Sequence, residues 1–446
     1  MHEELRGDEV VSERCILARL LLGDQRVDGD PFDELEGLAT TAGTEVVDRV
    51  LQKRATPDQK TFLGKGKVEE LAELVKRHDA EVVIFDNDLS PGQVRNLEKA
   101  VHAKILDRTE LILDIFAAGA RTYEARLAVE LAQLEYSLPR LKRMWTHLSR
   151  QSMGVGMRGP GEKQLEVDRR LALKRIHDLK TDLNKVERRR ERQVAARDET
   201  ATVSLVGYTN AGKSTLMNAL TDAGVMAANK LFATLDTRTR RWQLNGWGPV
   251  LLSDTVGFIR DLPHGLVASF KATLEETRQA DLLLHVADAS NPAVFEQISA
   301  VFRVLEEIGI EEKDTLLVLN KVDRVASPEM LDRIFDRYPN AIAVSAKTQA
   351  GFADLTERVS EALSRGFLDL EIDIDPANGR LLAHLAAQGE VLSRTFDEDR
   401  MTVHVRLPAQ AMGLVRESAL AVRPAPASSV DAVASDDAES APGEVA

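Results

Sequence analysis

The sequence predicts a multidomain α/β protein: a small N-terminal α/β domain, a long antiparallel helical hairpin, a doubly wound α/β domain and a small α+β unit. Three patterns predict it. Apolar strand-like runs alternate with helix-like segments in two stretches, before residue 120 and after residue 200. Between them, leucines recur at spacings of four and three. Beyond the second stretch, two segments alternate with period two. At 446 residues the chain is too long for one hydrophobic core, and about two to four domains are expected.

Each element follows in order. Val82 to Phe85 and Lys104 to Leu106 read as buried strands, and Val68 to Arg77 and Pro91 to Val101 as helices. Residues 1–120 therefore form a small α/β domain with a partly parallel sheet. Residues 121–200 form the hairpin. Leu127, Leu131, Leu134, Leu138, Leu141, Trp145 and Leu148 mark one coiled-coil seam, and Ala172, Ile176, Leu179, Leu183 and Val186 mark its partner. Pro139 is expected to kink or interrupt the first helix. Ser152 to Gly161, with four glycines and a proline, cannot continue a helix and reads as a flexible tip. About 30 helical residues at ~1.5 Å each give an arm of ~45 Å.

Residues 201–366 alternate strand and helix. Trp242 to Leu244, Asn245-Gly246 and Val250 to Ser253 read as a β-hairpin, because Asn-Gly suits a turn needing positive φ. In residues 367–423, Leu368, Leu370, Ile372 and Ile374 alternate, as do Val403, Val405 and Leu407. Residues 424–446 hold Ala, Ser, Pro and acidic residues, with no Lys, Arg or aromatic, and read as a disordered acidic tail.

Composition excludes several classes. Cys15 is the one cysteine, so no intrachain disulfide or Cys/His metal set is available, and a reducing, cytoplasmic setting follows. The expected state of Cys15 is a small buried apolar residue. No apolar run is long enough to span a bilayer, so no transmembrane segment is expected. Met1-His2-Glu3-Glu4 is acidic and lacks a signal-peptide core. The net charge of −14 argues against wholesale nucleic-acid binding. Yet Arg140 to Arg192 holds sixteen Lys/Arg against seven Asp/Glu, which makes the hairpin a basic arm on an acidic protein.

The strand Thr202 to Val206 runs into Gly207-Tyr208-Thr209-Asn210-Ala211-Gly212-Lys213-Ser214-Thr215 and then a helix. This is a phosphate-binding loop in its strand–loop–helix context. The glycines let backbone N–H groups converge on phosphate oxygens, and the helix N-terminus adds partial positive charge. Lys213 can reach the β- and γ-phosphates, and Ser214 can ligate Mg²⁺. Taken alone, the segment could still be a glycine-rich turn with an incidental lysine. Downstream residues remove that alternative. Leu251 to Asp254 is a strand followed by Thr255-Val256-Gly257. Asp254 is placed to hold Mg²⁺ through water, and the Gly257 N–H to contact the γ-phosphate. Asn320-Lys321-Val322-Asp323 follows the strand Leu316 to Leu319. The Asp323 carboxylate can accept from guanine N1–H and from its exocyclic amine; adenine offers neither donor there. This element resembles the base-reading loop of small GTPases. By that resemblance Asn320 ties the loop to the P-loop, the Lys321 stem lies over the base, and Ser345-Ala346-Lys347 completes the pocket. The expected ligands are GTP, GDP and Mg²⁺, and the domain is a Ras-like P-loop GTPase domain.

In Leu231-Phe232-Ala233-Thr234-Leu235-Asp236, Thr234 is the candidate second protein ligand to Mg²⁺, with Phe232 and Ala233 beside the nucleotide; Thr237 and Thr239 are rivals. The expected catalytic set is Lys213, Thr234 and Gly257. Ras-like enzymes place a water-orienting Gln directly after this glycine. Here Phe258 cannot orient water, and nearby His264 is read as structural or partner-facing. Intrinsic hydrolysis is therefore expected to be slow and to need an activator.

The arm and this domain together resemble the HflX family of ribosome-associated GTPases. The resemblance rests on Gly156 to Arg170, Thr61 to Leu71, Leu231 to Asp236 and Asp254 to Pro263, and covers residues ~1 to ~420. Thr237 departs from it, since the family usually has proline there. The resemblance implies binding of the large ribosomal subunit and its rRNA in the GTP state, and a monomer is expected. It further implies splitting of stalled or idle ribosomes, especially under stress, with the arm reaching toward the peptidyl-transferase region. Gly64-Lys65-Gly66-Lys67 also raises weak ATP binding in the N-terminal domain, as proposed for family members. The alternatives are a basic turn entering a helix, or an rRNA contact. Two rival functions stay open: a ribosome-assembly GTPase like the related Obg group, acting on free large subunits, and a GTP-dependent RNA-binding scaffold.

Overall fold

The computed structural model describes residues 13–23, 29–144, 160–195, 201–221, 231–232, 237–244, 247–260, 276–307, 309–310, 314–325, 327–365, 367–397, 400–407 and 411–425. Four parallel strands, β1 (Arg14–Leu22), β2 (Glu45–Arg54), β3 (Val82–Phe85) and β4 (Lys104–Asp107), form a sheet in the order β2-β1-β3-β4. The central strands are apolar on both faces because helices cover both. Cys15, Leu17, Val82 and Ile84 pack toward α1 (Asp33–Ala42) and α4 (Arg108–Gly119). Ile16, Ala18, Val83 and Phe85 pack toward α2 (Lys65–His78) and α3 (Pro91–Val101). Ser90 caps α3 reciprocally with Gln93, and Pro91 occupies its first turn. Cys15 is fully buried, as expected, and its Sγ–H donates to Thr44 Oγ1 at 3.4 Å.

The hairpin consists of α5 (Tyr123–Met144) and α6 (Pro160–Ala195). Leu127, Leu131, Ile176 and Leu179 are buried in the seam, with Leu134, Leu138 and Leu183 packed against them. Glu130–Arg175 and Glu135–Lys180 pair across it at 2.7 Å each. Two expectations need correction. Helix α5 runs through Pro139 and is not interrupted there. Pro160 and Gly161 open α6, since proline at a first helical position removes no bonded N–H. The rest of the expected tip, and Trp145 and Leu148, lie outside the described residues. The base of α5 belongs to the first sheet's core: Val129 and Ala132 join it, and Tyr136 and Arg140 both bond to the buried Asp107.

A second sheet has the order β10-β9-β8-β5-β7-β6. Its strands are β5 (Thr202–Gly207), β6 (Arg238–Leu244), β7 (Gly248–Asp254), β8 (Leu282–Asp288), β9 (Thr315–Asn320) and β10 (Ile342–Ala343), and β5, β8, β9 and β10 pair in parallel. The expected Asn245-Gly246 turn lies outside the described residues. A third, antiparallel sheet has the order β12-β13-β11-β14: β11 (Leu368–Ile374), β12 (Glu390–Asp397), β13 (Arg400–Leu407) and β14 (Ala421–Pro424). Pro424, expected to begin the tail, pairs with Leu370 at the end of β14; from residue 426 the tail lies outside the described residues.

The chain divides into two compact units, 1–198, 202–240 and 252–352 in one, and 199–201, 241–251 and 353–446 in the other. Within the first, one hydrophobic cluster runs from Cys15 and Ile84 through Phe116 and Phe232 to Val206 and Leu283. The first sheet and the nucleotide sheet thus share a core. Among the described residues, no helix is long and apolar enough to cross a membrane.

Candidate nucleotide site

The parallel strands β5, β8 and β9 end on one side of their sheet, where loops gather the motif residues. β5 ends at Gly207, and helix α7 (Lys213–Thr221) starts after a five-residue turn. Asn210 and Gly212 take positive φ of 61° and 95°. This alternation turns successive N–H groups toward one concavity, the geometry of an anion nest. Lys213 is buried and donates to the carbonyls of Gly207 and Tyr208 at 3.0 Å each. Burial pulls its ammonium down to about 8, with Asp254 opposing. Ser214 Oγ donates to Asp254 Oδ2 at 2.6 Å. A hydroxyl and a buried carboxylate side by side are hard oxygen donors of the kind Mg²⁺ takes, so the residues fit that ion. Among the described residues no cluster of three His, Cys, Asp or Glu competes as a metal site. Thr215 lies exposed in the first turn of α7. Thr255 donates to the Leu205 carbonyl at 2.7 Å, which anchors the start of the Thr255-Val256-Gly257 segment beside β5.

The base end is tied by side chains. Asn320 Nδ2 donates to the Ala211 carbonyl at 2.9 Å, and Asn320 Oδ1 accepts from the Ala346 N–H at 3.0 Å. One amide therefore bridges the P-loop and the Ser345-Ala346-Lys347 loop. Lys321, at φ 63°, reaches the Asn210 carbonyl and Asp288 Oδ2 at 2.7 Å each. Ser345 Oγ donates to Asp323 Oδ1 at 2.6 Å, fixing the carboxylate plane while Asp323 stays exposed. Lys347 is exposed.

Other expected residues fall differently. Ala233 and Thr234 lie outside the described residues, as does His264. Phe232 turns into the core, its ring 4.6 Å from Phe116, and its N–H donates to Thr209 Oγ1 at 3.0 Å. Thr239 sits in β6, hydrogen-bonded to Ser253 at 3.0 Å. Phe258 is buried and bridges to Tyr208. In the N-terminal domain, Lys65 and Lys67 pair with Glu69 and Glu70 in the first turns of α2.

Sequence reasoning missed a charged cluster on the outer side of the P-loop. The Tyr208 hydroxyl donates to Glu34 Oε2 at 2.9 Å, and Arg108 reaches both Glu34 and Asp86. Burial alone would push the Glu34 carboxyl up; Arg108 and Arg260 outweigh it and hold it below its ordinary value. Burial raises the Tyr208 phenol, with Glu34 adding to the shift, so it stays protonated and can donate. A cavity of about 600 Å³ adjoins this cluster, between α1 and Thr209-Asn210. No local pattern could have flagged these residues, because Glu34 lies 174 positions from Tyr208.

A P-loop, an acidic strand end followed by Gly257, and Asp323 at the end of an Asn-Lys-Val-Asp loop, on a mostly parallel sheet, define a P-loop GTPase. Residues 30–117 match the family described as GTP-binding GTPase N-terminal, 119–197 its middle region, and 202–321 the 50S ribosome-binding GTPase. The chain is 47% identical over 400 residues to GTPase HflX of Escherichia coli (strain K12), covering 89% of this chain and 94% of that protein. It is 49% identical over 385 residues to GTPase HflX of Magnetococcus marinus, covering 86% and 89%. Among solved structures, a GTP-binding protein from the hyperthermophilic archaeon Sulfolobus solfataricus in complex with GDP aligns with a TM-score of 0.42 at 23% identity, covering 79% of this chain and 99% of that one. The chain belongs to the HflX family of GTPases, and the reaction is the hydrolysis of GTP.

Proposed function

We propose that this chain is a cytoplasmic, ribosome-associated GTPase that binds the large ribosomal subunit with GTP and splits stalled or idle ribosomes. The observation that supports it most is the joining of a guanine-nucleotide site to a basic arm. Arg169, Arg170, Lys174, Arg175, Lys180 and Arg189 are exposed along the 36-residue α6, which at ~1.5 Å per residue is ~54 Å long. Such a projection suits contact with rRNA phosphates. The tip is taken to reach toward the peptidyl-transferase region.

In hydrolysis, Asp323 and Asn320 fix the base, and the P-loop amides with Lys213 carry phosphate charge. The Gly257 N–H meets the γ-phosphate as charge develops there, so catalysis is positioning plus electrostatics. Ser214, Asp254 and Thr234 would hold Mg²⁺, which neutralises charge on the phosphate oxygens when bound. Phe258 cannot orient water, so the ribosome supplies the stimulation. Sedimentation of ribosomes with the protein under GTP, GDP and a non-hydrolysable analogue tests the reading. Conversion of 70S particles to subunits with GTP or the analogue, and not with GDP, is expected. Intact 70S particles under all three nucleotides would refute splitting, and binding to free large subunits alone would favour an assembly role.

A further inference from the structure

The segment after Gly257 is held by Tyr208 of the P-loop and by Asp86 and Arg108 of the N-terminal domain. Arg260 N–H donates to the Tyr208 hydroxyl at 2.8 Å, and the Arg260 carbonyl accepts from Arg108 Nη2 at 3.1 Å. The Arg260 guanidinium reaches Asp86 at 3.0 Å, and Arg108 reaches the same carboxylate at 2.7 Å. Tyr208 and Arg108 both end on Glu34. Amide, carbonyl and side chain of one residue are thus fixed together. Two backbone bonds extend the hold: Thr209 N–H to the Phe258 carbonyl at 2.7 Å and Phe258 N–H to the Gly207 carbonyl at 3.1 Å. Held so, Gly257 lies hard against the P-loop. A Cβ there would stand 2.8 Å from Thr209 Cα and 3.2 Å from Lys213 Nζ.

A γ-phosphate that bonds Lys213 Nζ and the Gly257 N–H together enters between the P-loop and this segment, so the hold on residues 257–260 bears on the third phosphate. GDP lacks the third phosphate and makes no demand on residues 257–260. We propose that the Tyr208–Glu34–Arg108 cluster sets the protein's preference between GTP and GDP, by holding the Gly257–Arg260 segment closed over the P-loop. Tyr208 and Glu34 are then specificity-determining positioning residues that act through Arg260. This rests on the reading of Lys213 and Gly257 as γ-phosphate contacts.

The test is titration of the full-length protein with GDP and with a non-hydrolysable GTP analogue, for the wild type, Tyr208→Phe, Glu34→Ala and the double variant. Either single change should tighten the analogue about tenfold, the worth of one hydrogen bond to a charged group, and shift GDP less than about twofold. The double variant should gain no more than a single one, because both break the same hold. Glu34→Gln, which keeps an acceptor for the phenol, should restore much of the wild-type ratio. A purely structural role would weaken both nucleotides together, and that result, an unchanged ratio, or effects that multiply in the double variant would overturn the proposal. Should Glu34→Ala unfold the protein, Tyr208→Phe alone decides. A wild type that binds neither nucleotide would instead refute the reading of the site itself.

Discussion

At the base end of the nucleotide site, Asn320, Lys321 and Ser345 bond to Ala211, Asn210, Asp288 and Asp323, all within the nucleotide sheet and its loops. At the phosphate end, Tyr208, Phe232 and Arg260 reach Glu34, Phe116 and Asp86 of the N-terminal domain. The difference separates two properties. The proposed guanine site is local to the P-loop GTPase domain. The proposed γ-phosphate end is tied to N-terminal residues more than 100 positions away in sequence.

The comparison can be broken from either end. The largest effect is expected at the phosphates: Lys213→Ala should lower the hydrolysis rate on the order of 10²–10³-fold, as removal of a preorganised charge at the transition state does. Single-turnover phosphate release would check it, and Ser214→Ala should behave alike. Next comes Asp323→Asn, expected to weaken GTP about a hundredfold through loss of two charge-assisted bonds, while xanthosine triphosphate tightens. Xanthine presents a carbonyl to which an amide can donate. Unchanged GTP affinity would remove Asp323 from the base site.

Phe258→Ala separates packing from chemistry. Truncating this buried ring should cost about 3–5 kcal/mol of stability in a denaturant titration. The hydrolysis rate per folded molecule should change only a few-fold; abolished chemistry in a folded variant would contradict external activation. The smallest effect on nucleotide is expected from deleting Gly154 to Gly161, or from replacing Arg158 and Lys163 with Ala. GTP affinity should stay within about twofold, because these residues lie outside every nucleotide motif. Ribosome splitting should be impaired, and normal splitting by the deletion variant would refute the role given to the tip.

Legibility in the sequence follows the same division. Asn320, Lys321, Asp323 and Ser345 sit within short motifs, so the chemistry of Asp323 and the resemblance of the other three to the base-reading loops of small GTPases predicted their grouping. The seam Leu127, Leu131, Ile176 and Leu179 was legible because helical periodicity is local. Strand β2, partly exposed at a sheet edge and rich in charge, carried no clear period and was not anticipated. Nor was the shared core through Phe116 and Phe232, which depends on packing between distant segments. Of the two outcomes expected at Pro139, interruption did not occur, since α5 continues through it.

The central claim is most directly tested by phosphate release from GTP, measured on one preparation with and without large ribosomal subunits. Slow release by the protein alone, stimulation of about tenfold or more by the subunits, and loss of both in Lys213→Ala are expected. An equal rate with and without subunits would contradict the account.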